Sequence, residues 1–129
     1  MSYAGDMARI LVVDDQAELA ELIQMVLEGA GHAVEAVNSG QEALDRLARN
    51  AYELIICDLQ MPEVDGVAVY RAVQRLATPR PAVLLMTGYA DTDTYGDFLQ
   101  TTSAVVLNKP VGIDALGEIV ARQLGSSAA

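Results

Sequence analysis

Short apolar blocks alternate along this chain with longer stretches in which apolar residues recur every three or four positions. Residues 10–13, ILVV, are too few for a helix and too uniformly apolar for a strand with one wet face, which predicts a strand covered on both sides. Leu19, Leu22, Ile23, Val26 and Leu27 follow at helical spacing and predict one apolar helix face, closed by the EGAG of residues 28–31. The weak alternation of HAVEAV, 32–37, predicts a second strand. Ser39 and Glu42 form a capping-box pair ahead of a helix whose inner face is read as Leu44, Leu47 and Ala48.

The pattern then repeats. ELIIC, 53–57, is a third strand ended by Asp58, and LQMPEVDG, 59–66, is a loop by its Pro and Gly. A helix from about Val67 to Leu76 stops at TPRP, where two prolines forbid continuation. AVLLM, 82–86, is the fourth strand. The helix within 91–102 is weakly specified, because Gly96 and several threonines are poor helix formers. AVVL, 104–107, is the fifth strand, and Ile113, Leu116, Val120 and Leu124 mark a last helix before a frayed GSSAA. Five strands alternating with five helices predict an α/β fold, a parallel sheet with helices on both faces. We expect a single domain over 1–129, with its core at about 9–124 and flexible ends at 1–8 and 125–129.

Composition narrows the function. A chain that is 52% apolar can bury a real core, and one cysteine, Cys57, excludes an intramolecular disulfide. A net charge of −10 argues against binding to nucleic acid or an anionic membrane, since phosphate backbones reward clustered Lys and Arg. Proteins or cations are the expected partners. No apolar run approaches the length of a membrane span, and MSYAGDMAR lacks the order of a signal peptide, so the expected location is cytoplasmic. Seven arginines are scattered along the chain, whereas Lys109 is its one lysine.

Chemistry collects after the strands. Ligands of open α/β sheets bind at the carboxyl ends of the strands. Asp14 and Asp15 follow the first strand, Asp58 the third, Thr87 and Gly88 the fourth, and Asn108, Lys109 and Pro110 the fifth; Val37 and Asn38, after the second, carry no charge. Three carboxylates gathered at one edge repel and raise one another's pKa values unless something positive relieves them. Lys109 supplies one charge, and the oxygen donors suit a hard divalent ion such as Mg²⁺. An ion beside Thr87, the Gly88 N–H and Lys109 is equipment for a phosphoryl group, with Asp58 as the candidate nucleophile.

The set VVDD (12–15), DLQMPEVDG (58–66), MTG (86–88) and LNKP (107–110), in that order, resembles the receiver domains of two-component response regulators. The resemblance spans about Arg9 to Leu124. It implies a flavodoxin-like (βα)5 fold with strand order 2-1-3-4-5, phosphorylation of Asp58 by a histidine kinase, a phosphotransfer protein or a small phosphodonor, and a changed surface read by a downstream effector protein. It implies direct Mg²⁺ ligation by Asp15, Asp58 and the backbone carbonyl of Gln60, with Asp14 acting largely through water. Thr87 and Lys109 would hold the phosphoryl oxygens, and the Lys109–Pro110 bond would be cis. Homodimerisation through the last two helices and the fifth strand is a further family habit. No output domain is read in this chain.

One position departs from the family pattern: Val106 stands where an aromatic, three residues before the lysine, usually turns inward on phosphorylation. Switching is then expected through the 91–102 segment as a mobile output surface. Tyr89, two residues beyond Thr87, is read as shielding the acyl phosphate from hydrolytic water.

The bland readings are Cys57 as a buried hydrophobe, His32 as structural or exposed, Tyr52, Tyr70 and Phe98 as packing residues, and Met25, Met61 and Met86 as core or loop filling. A constitutive binding module is opposed by the complete acidic and basic set. The competing enzymatic reading is an Mg²⁺-dependent aspartate-nucleophile phosphohydrolase. Its usual second aspartate is replaced here by Gln60, which cannot donate a proton as a carboxylic acid can.

Overall fold

Side chains alternate across each strand, and in the three central strands of this chain both sides are largely apolar. In the computed structural model, which describes residues 8–88 and 91–128, the elements are β1 (Arg9–Val13), α1 (Ala17–Gly29), β2 (Ala33–Val37), α2 (Gly40–Arg49), β3 (Leu54–Asp58), α3 (Gly66–Gln74), β4 (Ala82–Thr87), α4 (Asp91–Thr101), β5 (Val105–Asn108) and α5 (Ile113–Ala128). All strand pairs are parallel, in the order β2-β1-β3-β4-β5. Leu11, Val13, Ile55, Cys57, Val83 and Leu85 face one core with α2, α3 and α4; Ile10, Val12, Leu54, Ile56, Leu84 and Met86 face a second with α1 and α5. Burying each such Leu or Ile stabilises by about 1.5–3 kcal/mol, so β1, β3 and β4 form the rigid platform of the molecule. The winding reverses between β1 and β3, which places the ends of those two strands beside the crevice where ligands of such sheets bind.

The helix faces are narrower than the spacing predicted. α1 buries Ala20, Ile23 and Leu27, whereas Leu22 is 43% and Met25 67% exposed. Each residue turns a helix by 100°, so Leu22 lies a quarter-turn off the stripe centred on Ile23, and Met25 lies on the far side. The sequence reading of both as buried is corrected. α2 buries Ala43 and Leu47, and Ala48 is exposed for the same reason. The Ser39 cap is present: Glu42 N–H donates to Ser39 Oγ at 3.1 Å, while the Ser39 hydroxyl donates to the Glu42 carboxylate. α3 ends at Gln74, short of Leu76. α5 continues to Ala128, so residues 125–128, expected as a flexible end, are helical, and Ala8 is buried with its N–H donated to His32 Nδ1. A helix anchored by buried Leu116 and Val120 gains a backbone bond for each residue it adds, which carries it through Gly125.

Candidate functional site

The two adjacent aspartates after β1 have opposite fates. Asp14 is 0% exposed and every polar group it has is taken: its N–H donates to Val37 O at 3.2 Å, its carbonyl accepts from Asn38 Nδ2 at 3.1 Å, Oδ1 accepts from Gln16 N–H at 2.9 Å, and Oδ2 receives Lys109 Nζ at 3.2 Å. Asp15 is exposed, and its carboxylate makes no hydrogen bond or ion pair among the described residues. A buried carboxylate survives only when paired and hydrogen-bonded. Asp14 meets that condition, and Asp15 remains available.

Asp58 ends β3 and is 6% exposed, with Oδ1 3.3 Å from Lys109 Nζ. Carboxylate oxygens of Asp14, Asp15 and Asp58 lie within 4.8 Å of one another. Burial, and then the neighbouring charge of Asp14, push the Asp58 carboxyl up to about 6 against the pull of Lys109. Burial works against the Lys109 ammonium, but the Asp58 and Asp14 carboxylates outweigh it and raise its pKa. Burial likewise pushes the Cys57 thiol up, so Cys57 is an inert core group.

The remaining members come from β4 and β5. Thr87 is 4% exposed and its hydroxyl donates to Gly88 O at 3.3 Å. Lys109 N–H donates to Thr87 O at 2.7 Å, which extends the β4–β5 ladder into the loop and fixes where the lysine starts. The Lys109–Pro110 peptide is cis, as expected. A cleft of about 500 Å³ opens beside the lysine, lined by Leu19, Leu22, Gly88, Pro110, Val111 and Ile113 among others. Gln60 is exposed in the 59–66 loop, which folds tightly: Gly66 N–H donates to Leu59 O at 2.7 Å. A Cβ on Gly66 would stand 2.6 Å from Asp58 O, so only glycine allows this approach. Tyr89 lies outside the described residues. Val106 is half-buried against the same core as Tyr95, Phe98 and Leu99.

The sequence brought Asp14, Asp15, Asp58, Thr87, Gly88 and Lys109 to one edge, and the structure places them there. It adds Asn38, passed over because it is uncharged. The signal available was positional: β2 neighbours β1, so a polar residue ending β2 reaches the backbone of whatever ends β1.

The donor set fits a hard cation: three carboxylates, one of them exposed and without a partner among the described residues, converge at a separation an oxygen-ligated ion spans. Comparisons with known proteins agree with the fold. Residues 10–121 match the response regulator receiver domain family. The chain is 36% identical over 107 residues to the transcriptional regulatory protein ZraR of Escherichia coli (strain K12), covering 83% of this chain and 24% of that protein. It is 37% identical over 115 residues to the response regulator protein FleR of Pseudomonas aeruginosa, covering 89% and 24%. The chain thus spans about a quarter of the length of these curated relatives. Among solved structures, the signal receiver domain of a signal transduction histidine kinase from Syntrophus aciditrophicus superposes with a TM-score of 0.82 at 32% identity, covering 92% of this chain and 91% of that one. The chemotaxis response regulator CheY4 of Vibrio cholerae gives 0.79 at 25% identity, covering 91% and 98%.

Proposed function

Because the chain belongs to the response regulator receiver domain family, we propose that it is a phosphoryl-accepting switch with Asp58 as the acceptor. The observation that carries this is Lys109 Nζ bridging Asp14 and Asp58 at 3.2 and 3.3 Å, with the Asp15 carboxylate open beside them. The Asp58 carboxylate attacks the phosphorus of a phosphohistidine; the P–N bond breaks, an acyl phosphate forms, and the imidazole leaves with a proton from solvent. Lys109 and the Thr87 hydroxyl hold the phosphoryl oxygens. Asp15 and Asp58, with the Gln60 carbonyl, would hold Mg²⁺, and Asp14 would act through water. A bound Mg²⁺ would neutralise charge on the transferring oxygens.

The donor is a histidine kinase, a phosphotransfer protein or a small acyl phosphate, and the product is a changed surface for an effector protein, in the cytoplasm. Consistent with this, no helix among the described residues is long and apolar enough to cross a membrane. Incubation with acetyl phosphate and Mg²⁺ tests the reading. The wild-type chain should gain one phosphoryl group and Asp58→Asn none. Labelling of Asp58→Asn would overturn the assignment, and release of many equivalents of phosphate would point instead to a phosphohydrolase.

A further inference from the structure

Tyr95 interrupts its own helix. Its φ of −116° and ψ of 16° depart from helical values inside α4, and its hydroxyl donates to Asp65 Oδ2 at 2.9 Å. The other oxygen of that carboxylate, Oδ1, accepts Ala68 N–H at 2.9 Å and caps α3. One side chain therefore closes the first turn of α3 and ties down the early part of α4.

Asp65 is itself anchored to the phosphoacceptor strand. The next residue, Gly66, bonds back to Leu59 O at 2.7 Å and lies so close to Asp58 O that a Cβ would not fit. Backbone rests on backbone there, so a displacement at Asp58 is passed on to Asp65, not absorbed. From Asp65 it reaches α4 through the Tyr95 hydroxyl. α4 is poorly equipped to resist, since Thr94, Gly96 and Thr101 are weak helix formers. Val106 of β5, packed against the same core as Tyr95, offers no polar group that could take over the connection.

We propose that the Tyr95–Asp65 hydrogen bond is the latch coupling the state of Asp58 to α4. The proposal rests on the reading of Asp58 as the acceptor. A phosphoryl group replaces the single charge of the Asp58 carboxylate with about two on the acyl phosphate, beside two other carboxylates. The 59–66 loop shifts to accommodate it, Asp65 releases Tyr95, and α4 moves to present a different face.

The test uses Tyr95→Phe, which keeps the ring, Asp65→Ser, which keeps a helix cap, and the double variant, with amide exchange of residues 95–101 measured with and without beryllofluoride and Mg²⁺. Without the mimic, each single variant should exchange about tenfold faster than wild type, the low end for a hydrogen bond to a charged group, and the double no faster than either. Beryllofluoride should speed exchange in the wild type and leave Tyr95→Phe unchanged. Exchange in Tyr95→Phe equal to wild type in both states, or additive effects in the double, would overturn the latch. Fluorine NMR separates two further failures. A mimic bound at Asp58 without effect on wild-type α4 refutes the coupling alone, whereas a mimic that never binds refutes the acceptor reading and the coupling with it.

Discussion

Lys109 Nζ lies 3.2 Å from Asp14 Oδ2, across 95 residues of sequence, and this pair lets a fully buried carboxylate exist at the end of β1. Lys109→Met should leave Asp14 and Asp58 without a cation. Breaking a buried pair costs about 3–5 kcal/mol, and the partial exposure of the lysine reduces this to about 1–3 kcal/mol. Urea denaturation at pH 7 measures it. Phosphorylation by acetyl phosphate should fall at least tenfold, because the phosphoryl oxygens lose a charged donor.

The raised pKa of Asp58 makes a prediction about pH that runs opposite to the usual carboxylate. Its folded value of about 6 lies above the ordinary value of 3.8, so between these limits the native state holds the proton more tightly than the unfolded state. Metal-free stability should therefore fall as pH rises from about 4 to about 6. The gap corresponds to at most about 3 kcal/mol. Asp58→Asn should be more stable than wild type at pH 7 by about 1–3 kcal/mol, with the advantage gone by pH 3. Thermal unfolding across this range, without divalent ions, checks it, and Mg²⁺ should restore more stability to wild type than to the variant.

A carboxylate with the ordinary sign sits on β2. Glu35 accepts from Tyr52 Oη at 2.7 Å and Arg46 at 2.8 Å, with Arg9 at 3.5 Å; the Tyr52 bond first, then Arg46 and Arg9, lower its pKa despite partial burial. Its contribution is present above the unfolded pKa and lost as pH falls through the lower folded one. Glu35 is about one-third exposed, so solvent weakens the effect. Tyr52→Phe should cost about 0.5–1 kcal/mol at pH 7, and the cost should shrink as the pH falls below the ordinary carboxylate value, as read from denaturation midpoints.

Gly66 is a packing requirement, not a flexible joint. A methyl group there meets the Asp58 carbonyl and the Leu59 Cα, both backbone and unable to swing away. Gly66→Ala should destabilise by about 1–3 kcal/mol. Because the strain falls on Asp58 itself, acetyl phosphate labelling should slow by more than the loss of folded protein explains, which circular dichroism and mass spectrometry on the same sample would separate.

Hydrophobic blocks and strand-end residues made the sheet and most of the site legible. Strands buried on both faces announce themselves as ILVV or LIIC, and a polar residue directly after such a block can only stand at the edge. Helix faces were less legible, because spacing of three and four admits a stripe wider than the contact: Leu22 and Ile23 both satisfy it, and only Ile23 touches the core. Least legible were side-chain bonds between elements. Nothing in the spacing of Asp65 and Tyr95, 30 residues apart, or of Asn38 and Asp14, signals that they meet; β-sheet register and loop closure decide it.

Asn38 offers a last check on how the acidic edge is held. Its Nδ2 donates to the Asp14 carbonyl, while Asp14 N–H donates to Val37 O, so the end of β2 fixes both polar atoms of the Asp14 backbone. The peptide leaving Asp14 carries Asp15, whose carboxylate has no other restraint among the described residues. Releasing the carbonyl should let that peptide rotate and spread the oxygens that now lie within 4.8 Å. Asn38 is exposed, so Asn38→Ala should alter stability by less than about 0.5 kcal/mol. Mg²⁺ affinity, followed by NMR titration of the Asp15 and Asp58 amides, should weaken about tenfold, the low end for a group that orients a ligand without touching the metal. Unchanged affinity would mean that Asn38 only closes the turn into α2.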